Sequence, residues 1–250
     1  MTRRRFFAPP EALENEVISL LPEEGRHLRD VLRLKSGDEA FVFDGQGIEY
    51  SCVIIETGTN KIPPRLEVCG KVAPPSPESP LALSLAIALL KGEKFDLVVQ
   101  KATELGVNRI IPVATARSDV RIPNGSDLTQ RVTRWQRLAL EACKQSGRAR
   151  VPEIEQPIAF ATLLENEKSI ETRLMFAERM GQGLDEVLES ARIESLITLV
   201  GPEGGWDDHE IEMAKAAGWK VITLRGRIMR AETAAIAITA LLQNRFGDLK

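Results

Sequence analysis

Three observations predict an α/β protein with a parallel sheet, preceded by a smaller and mostly β part. From residue 81 onward, short apolar runs alternate with amphipathic stretches. Four prolines fall within residues 72–80, where neither a helix nor a central strand can continue. Ahead of them, residues 1–72 hold short β-branched and aromatic runs separated by Gly, Asp and Asn.

In the first part, residues 40–43, 49–55 and 66–68 are strand candidates, and Asp44-Gly45 with Gly47 reads as a hairpin turn. One helix, about residues 23–34, is expected to carry Leu28, Val31 and Leu32 on one face and Arg26, Arg29 and Arg33 on another. These elements suggest a small β-barrel with a helix. The proline segment reads as a stiff spacer, dividing the chain into domains at 1–72 and 73–250. In the second part the strands are expected at 83–88, 109–113, 173–177, 196–200 and 220–224. Helices are expected at 95–105, closed by Gly106, then at 128–144, 184–191, from about 208, and at about 232–246. Such alternation implies a parallel sheet covered on both faces. The last helix opens with the small apolar residues Ala234, Ala235, Ile236, Ala237 and Ile238. It is expected to be buried nearly all round, against the core or a second subunit.

Composition narrows the function classes. At 250 residues, 43% hydrophobic and 28% charged, the chain has ample material for a core. A net charge of -3 gives no sign of a nucleic-acid partner, although a local basic stripe would suffice. Arg3-Arg4-Arg5-Phe6-Phe7 is followed by Pro9, Pro10 and Glu11, where a signal peptide would need an apolar stretch. The longest apolar run, residues 81–90, includes Ser84 and is too short to span a bilayer. A cytoplasmic location without membrane contact is therefore expected. Cys52, Cys69 and Cys143, with His27 and His209, form no metal-ligand spacing. No metal is expected, and the thiols read as structural or inert.

The chemistry concentrates near the C-terminus. Leu199-Val200-Gly201-Pro202-Glu203-Gly204-Gly205-Trp206 follows one apolar run and leads into a helix. Leu224-Arg225-Gly226-Arg227-Ile228-Met229-Arg230-Ala231-Glu232-Thr233-Ala234 follows another. Irregular loops at strand ends expose backbone groups that can hold a small ligand. The first loop equally reads as a tight turn, because glycine supplies unusual backbone angles. It is not G-x-G-x-x-G, and Gly92-Glu93-Lys94 is not a phosphate loop. Asp207 and Glu210 have the spacing of a capping box. Arg225, Arg227 and Arg230 are either solvated charge or a device for an anionic group. Residues 117–150 are locally basic, with Arg134, Arg137, Lys144 and Arg148 at helix-like spacing. Together with Arg3, Arg4, Arg5 and with Arg26, Arg29, Arg33, Lys35, three basic clusters on an acidic protein point to a polyanionic partner.

These residues together resemble the RsmE family of 16S ribosomal RNA (uracil-N3) methyltransferases, in the SPOUT superfamily. The similarity runs along essentially the whole chain, through Arg4-Arg5-Phe6, residues 27–33, residues 101–107, Glu141 with Gln145-Ser146-Gly147-Arg148, and the two C-terminal motifs. One departure stands out: the family's Leu-Gly-x-Arg is here Leu224-Arg225-Gly226-Arg227, with the glycine one place later. The resemblance implies a PUA-like β-barrel followed by a SPOUT domain with a trefoil knot, assembled as a homodimer. It implies S-adenosylmethionine held by Glu178, Leu199, Gly201, Gly205, Leu224, Ile228 and Met229. It implies methylation at N3 of one uridine, 1498 in the usual rRNA numbering, in the small ribosomal subunit. Arg230 is then expected to stabilise the anion of the base, with Glu203 or Glu232 assisting. Arg3, Arg4, Arg5, Arg26, Arg29, Arg33 and Arg148 are expected to contact RNA phosphates. The rival readings are a SPOUT enzyme acting on another nucleotide and a non-catalytic RNA-binding assembly factor.

Overall fold

The computed structural model describes residues 3–59, 61–122, 125–187 and 193–250. The chain forms two compact units. The first comprises Met1–Glu78 with Cys143–Val151, and the second Ser79–Ala142 with Pro152–Lys250. This division differs from the expected break after residue 72. The proline segment is not a free spacer, because the Ser76 hydroxyl donates to the Ser146 carbonyl at 2.7 Å and the Ser76 N–H to the Gly147 carbonyl at 3.2 Å.

The first unit is a six-stranded mixed sheet. Its strands are β1 (Arg5–Phe7), β2 (Leu13–Glu14), β3 (Val17–Ser19), β4 (Glu39–Phe43), β5 (Glu49–Glu56) and β6 (Arg65–Val72), in the spatial order β1-β4-β5-β6-β3-β2. The β1–β4 pair is parallel and the others antiparallel. Phe6, Ile18, Leu20, Leu28, Val42, Ile54 and Leu66 fill its core. The expected Asp44 turn is present, the Asp44 carboxylate accepting from the N–H groups of Gln46 and Ile48. The expected helix begins as α1 (Pro22–Arg26) and continues as a π-helical turn, His27–Val31. The wider turn breaks the 3.6-residue period, so Leu28 is buried but Val31 is 65% exposed instead of facing the core.

The second unit is built on a parallel sheet. Its strands are β7 (Ala82–Ala88), β8 (Arg109–Ala114), β9 (Glu153–Ile154), β10 (Ile158–Ala159), β11 (Thr172–Phe176), β12 (Ser195–Val200) and β13 (Lys220–Ile222). The order is β10-β8-β7-β12-β11-β13, with β9 beside β8, and every pairing is parallel. The helices are α2 (Lys94–Glu104), α3 (Gly125–Ser146), α4 (Phe160–Asn166), α5 (Leu184–Val187), α6 (Asp208–Ala216) and α7 (Ala231–Phe246). The expected helix at 184–191 is described through Val187; its remainder lies outside the described residues. On one face, Ala86, Met175, Ile197, Leu199 and Val221 pack with Phe160, Leu163 and Leu164 of α4 and Ile211 and Ala214 of α6. Within the single chain, α7 buries one face. Ala235, Ile238 and Leu242 are buried, whereas Thr233, Ala237 and Leu241 are exposed.

Candidate functional site

The parallel register brings the C-terminal ends of β11, β12 and β13 to one side of the sheet. Three irregular segments leave there. The segment after β11 runs against the end of β13: the Gln182 N–H donates to the Val221 carbonyl, the Thr223 N–H to the Gln182 carbonyl, and the Gly181 N–H to the Thr223 hydroxyl. After β12, the Gly205 N–H donates to the Pro202 carbonyl at 3.0 Å, closing a turn. Gly205 has φ +70°, and a Cβ there would lie 2.8 Å from a Glu178 carboxylate oxygen. A Cβ on Gly201 would meet the Trp206 ring at 2.8 Å. Trp206 is 1% exposed, and its indole N–H donates to the Phe176 carbonyl at 2.8 Å, locking the β12 exit to the β11 exit.

The next helix starts with the expected cap. Asp207 accepts from the His209 N–H, and Glu210 accepts from the Asp207 N–H and, at 2.8 Å, from the Ala116 N–H. The Asp207 carboxyl is held below the ordinary aspartate range, first by the hydrogen bond from the His209 N–H and then by Arg117.

These segments enclose a cavity of about 670 Å³. Its apolar wall includes Ala177, Leu224, Ile228, Met229, Ala234 and Ile238. Of the residues expected to hold a cofactor, Glu178, Gly201, Gly205, Leu224, Ile228 and Met229 line it. Leu199 does not: its side chain is fully buried in the core with Trp206 and Ile211, because alternate residues of β12 face α4 and α6. Of the expected catalytic residues, Glu203 and Arg230 line the cavity. Glu232 is absent from the lining; it sits in the first turn of α7, 9% exposed, with one buried carboxylate oxygen lacking a hydrogen-bond partner. Arg227 and Arg230 lie exposed on the loop before α7, while Arg225 points to Glu186 at 3.6 Å.

Among the lining residues that sequence reasoning did not place at the site are Ala177, Ala234 and Ile238 of the apolar wall and the charged Lys94. The Lys94 Nζ lies 3.0 Å from Glu203 Oε1. Burial alone would raise the Glu203 carboxyl, but backbone N–H donors of Glu203 and Lys91 and the Lys94 ammonium outweigh it and hold it below the ordinary glutamate range. Glu203 is therefore an anion near neutral pH and a fixed hydrogen-bond acceptor. Nothing in Gly92-Glu93-Lys94 signals this role. It arises because β7 and β12 are neighbours, which places their exits side by side.

Two of the residues expected on RNA are corrected. The Arg5 side chain is 6% exposed and ion-paired at 2.8 Å with Glu49, which is fully buried; it also donates to the carbonyls of Cys143, Lys144 and Arg148. Arg148, 4% exposed at the side chain, is ion-paired with Glu78 at 2.6 Å. Both guanidinium groups are spent on holding the first unit together. Arg3 bonds Glu49 and the Ala73 carbonyl, and half-buried Arg29 donates to the Thr57 carbonyl. Arg4, Arg26 and Arg33 are exposed. Burial pushes the Cys52 thiol up to about 12 and the Cys143 thiol up to about 11, so neither is a thiolate near neutral pH. No group that could hold a metal ion occurs among the described residues, and no helix among them is long and apolar enough to cross a membrane.

A parallel α/β sheet with a ligand cavity at its strand exits, following a mixed β unit, matches the class of RNA methyltransferases joined to a PUA domain. Residues 77–243 match the RNA methyltransferase domain, and residues 20–62 the RNA methyltransferase PUA domain. The chain is 34% identical to the ribosomal RNA small subunit methyltransferase E of Synechocystis sp., over 96% of this chain and 78% of that one. It is 32% identical to that of Rickettsia conorii, over 98% and 96%. The crystal structure of ribosomal RNA small subunit methyltransferase E from Neisseria gonorrhoeae bound to S-adenosyl methionine superimposes with a TM-score of 0.87, at 30% identity, covering 99% of this chain and 100% of that one. The chain belongs to the ribosomal RNA small subunit methyltransferase E family, with the PUA-like and SPOUT-type α/β architecture.

Proposed function

We propose that this chain methylates N3 of a single uridine of 16S rRNA, 1498 in the usual numbering, using S-adenosylmethionine. The observation that carries the reading is the cavity: a small apolar wall faces a fixed carboxylate and cationic side chains at the exits of three parallel strands. Its volume suits a nucleoside-sized cofactor. Ala177, Leu224, Ile228, Met229 and Ala234 offer an apolar bed for an adenine, while exposed backbone groups at the strand ends can bond its edge. Glu178, beside Gly205, suits the ammonium of the cofactor's amino-acid end. When bound, S-adenosylmethionine supplies an electrophilic methyl group.

The chain's own residues must then handle the base. N3 lies on the pairing edge of uracil, so the nucleotide must be unpaired or turned out of its stack. The N3–H bond must break as the methyl group arrives, and charge develops on the ring. Arg230 lines the cavity and is exposed, which supports its reading as the residue that offsets that charge. Glu203, already ionised, serves to orient neighbouring cations better than to donate a proton. Exposed Arg4, Arg26 and Arg33 in the first unit suit phosphate contacts that position RNA without reading its sequence. The apolar outer face of α7, with Ala237 and Leu241, suits a second copy of the chain, and the knot implied by the family belongs to the same reading.

The test is methyl transfer from labelled S-adenosylmethionine to small ribosomal subunits from a strain lacking its own enzyme, with mass spectrometry of the nucleosides. N3-methyluridine at one site is expected. Cofactor binding with label on another nucleotide would favour a different RNA target, and absence of cofactor binding would leave an assembly factor.

A further inference from the structure

We infer that Lys94 is a catalytic residue acting on the acceptor base. Its ammonium, held in place by Glu203, hydrogen-bonds a uracil carbonyl flanking N3 and stabilises the imide anion. This rests on the uracil-N3 reading above and deepens it.

Three cationic residues line the cavity: Lys94, Arg227 and Arg230. They differ in how they are held. Arg227 and Arg230 are exposed on the irregular segment before α7, and neither side chain makes an ion pair among the described residues. Lys94 begins α2, at the exit of β7, and its Nζ is fixed 3.0 Å from Glu203 Oε1. Glu203 stands in the turn after β12 that the Gly205 N–H closes on the Pro202 carbonyl at 3.0 Å. Neighbouring Lys91 is drawn away to Asp119, at 2.7 Å on the surface. Lys94, 38% exposed at the side chain against 25% for Glu203, is thus the lining cation with an ion-pair partner among the described residues, and electrostatic stabilisation is effective when the charge need not reorganise during reaction.

The chemistry of the base fits this cation. An ammonium has three donors, and Glu203 uses one, leaving two for a ligand. Uracil N3 sits between two carbonyls. When the N3–H bond breaks and its proton passes to solvent water, the negative charge spreads over N3 and both carbonyl oxygens. The freed pair on N3 forms the new bond to the methyl carbon. The methyl–sulfur bond breaks with its pair remaining on sulfur, so the sulfonium charge is cancelled. A lysine donating to the carbonyl at C4 favours this anion and also disfavours cytosine, which presents an amino group there. The competing role for Lys94 is a salt bridge to the carboxylate of the cofactor, which would act on affinity rather than turnover.

The experiment compares the whole protein with Lys94→Ala, Lys94→Arg and Glu203→Gln, on RNA carrying uridine or 5-fluorouridine at the target. Production of N3-methyluridine by the wild type is established first; without it the uracil-N3 reading itself fails. With it, Lys94→Ala is expected to lower kcat about a hundredfold. Calorimetric Kd for S-adenosylmethionine should stay within about threefold. Lys94→Arg should recover much of the rate, and Glu203→Gln should fall between, because the ammonium loses its anchor but keeps its charge. In Lys94→Ala the rise of rate with pH should move to higher pH. The defect should shrink on 5-fluorouridine, whose N3–H is more acidic. A Kd weakened as much as kcat falls would assign Lys94 to the cofactor's carboxylate. Unchanged kcat, or an equal defect on both RNAs, would equally overturn the inference.

Discussion

At the scale of single residues, the cavity depends on two positions whose chemistry is set by their immediate neighbours. Gly205 combines φ +70° with a Glu178 oxygen only 2.8 Å from where a Cβ would stand. Gly205→Ala therefore meets both backbone strain and a displaced carboxylate. The strain alone is about 1–2 kcal/mol. The variant is expected to melt earlier and to bind S-adenosylmethionine more weakly, read by calorimetry; unchanged affinity would remove the Gly205–Glu178 contact from the binding site. Glu203 makes a pH prediction. Its folded-state carboxyl lies below the ordinary 4.5, since the backbone donors and Lys94 outweigh the opposing effect of burial. A lowered folded value means stability that is present above the unfolded carboxylate range and lost as pH falls through the lower folded value. The Lys94–Glu203 pair should therefore persist at mildly acidic pH. Carbon-detected NMR of the Glu203 side chain should give a midpoint below 4.5, moving upward in Lys94→Ala; a midpoint at or above 4.5 in the wild type would contradict the assignment.

At the scale of elements, the strand-exit segments are tied together by a few buried polar groups. Glu210 is the clearest: 6% exposed, it satisfies the N–H of Asp207 at the start of α6 and the N–H of Ala116 beyond β8. Glu210→Ala leaves both donors without their acceptor, a loss of about 2 kcal/mol. That should lower Tm by about 4–8 °C. A melt within a degree of the wild type would show that water replaces the carboxylate. The capping box was readable in advance because Asp207 and Glu210 stand three apart before an apolar stretch. The buried parallel strands were readable for a similar reason, since β7, β8, β11 and β12 are near-continuous apolar runs. The β2–β3 hairpin was not. Its two turn residues, Asn15 and Glu16, have φ +48° and +63°, a turn type normally announced by a glycine that is missing here. The helix α4 was missed because seven residues are too few to show a period. The glycine loops of the cavity could be seen in the sequence, but Lys94 could not, because its place follows from β7 pairing with β12 across more than a hundred residues.

At the scale of the whole molecule, the sequence pattern misled most where the chain returns to a unit it has already left. The pattern puts the boundary at the prolines, yet residues Cys143–Val151 belong to the first unit. The arginines read as RNA contacts explain why. Arg5 donates to the carbonyls of Cys143, Lys144 and Arg148, and Arg148 pairs with Glu78. Lys144 pairs with Glu24, which is 5% exposed. A fragment ending at Glu78 would keep the Arg5–Glu49 pair but lose the three carbonyl acceptors and the cations facing Glu24 and Glu78. Removing one partner from a buried ion pair costs about 3–5 kcal/mol. Below about 80 residues a single hydrophobic core rarely supplies more than about 3–5 kcal/mol. Residues 1–78 are therefore expected to lack a cooperative urea transition by circular dichroism. In the full chain, Arg148→Ala should lower the stability of the first unit without changing the salt dependence of RNA binding, because that guanidinium faces Glu78 and not a phosphate. A cooperative transition in the isolated fragment, or a flattened salt slope in Arg148→Ala, would return these residues to the RNA surface.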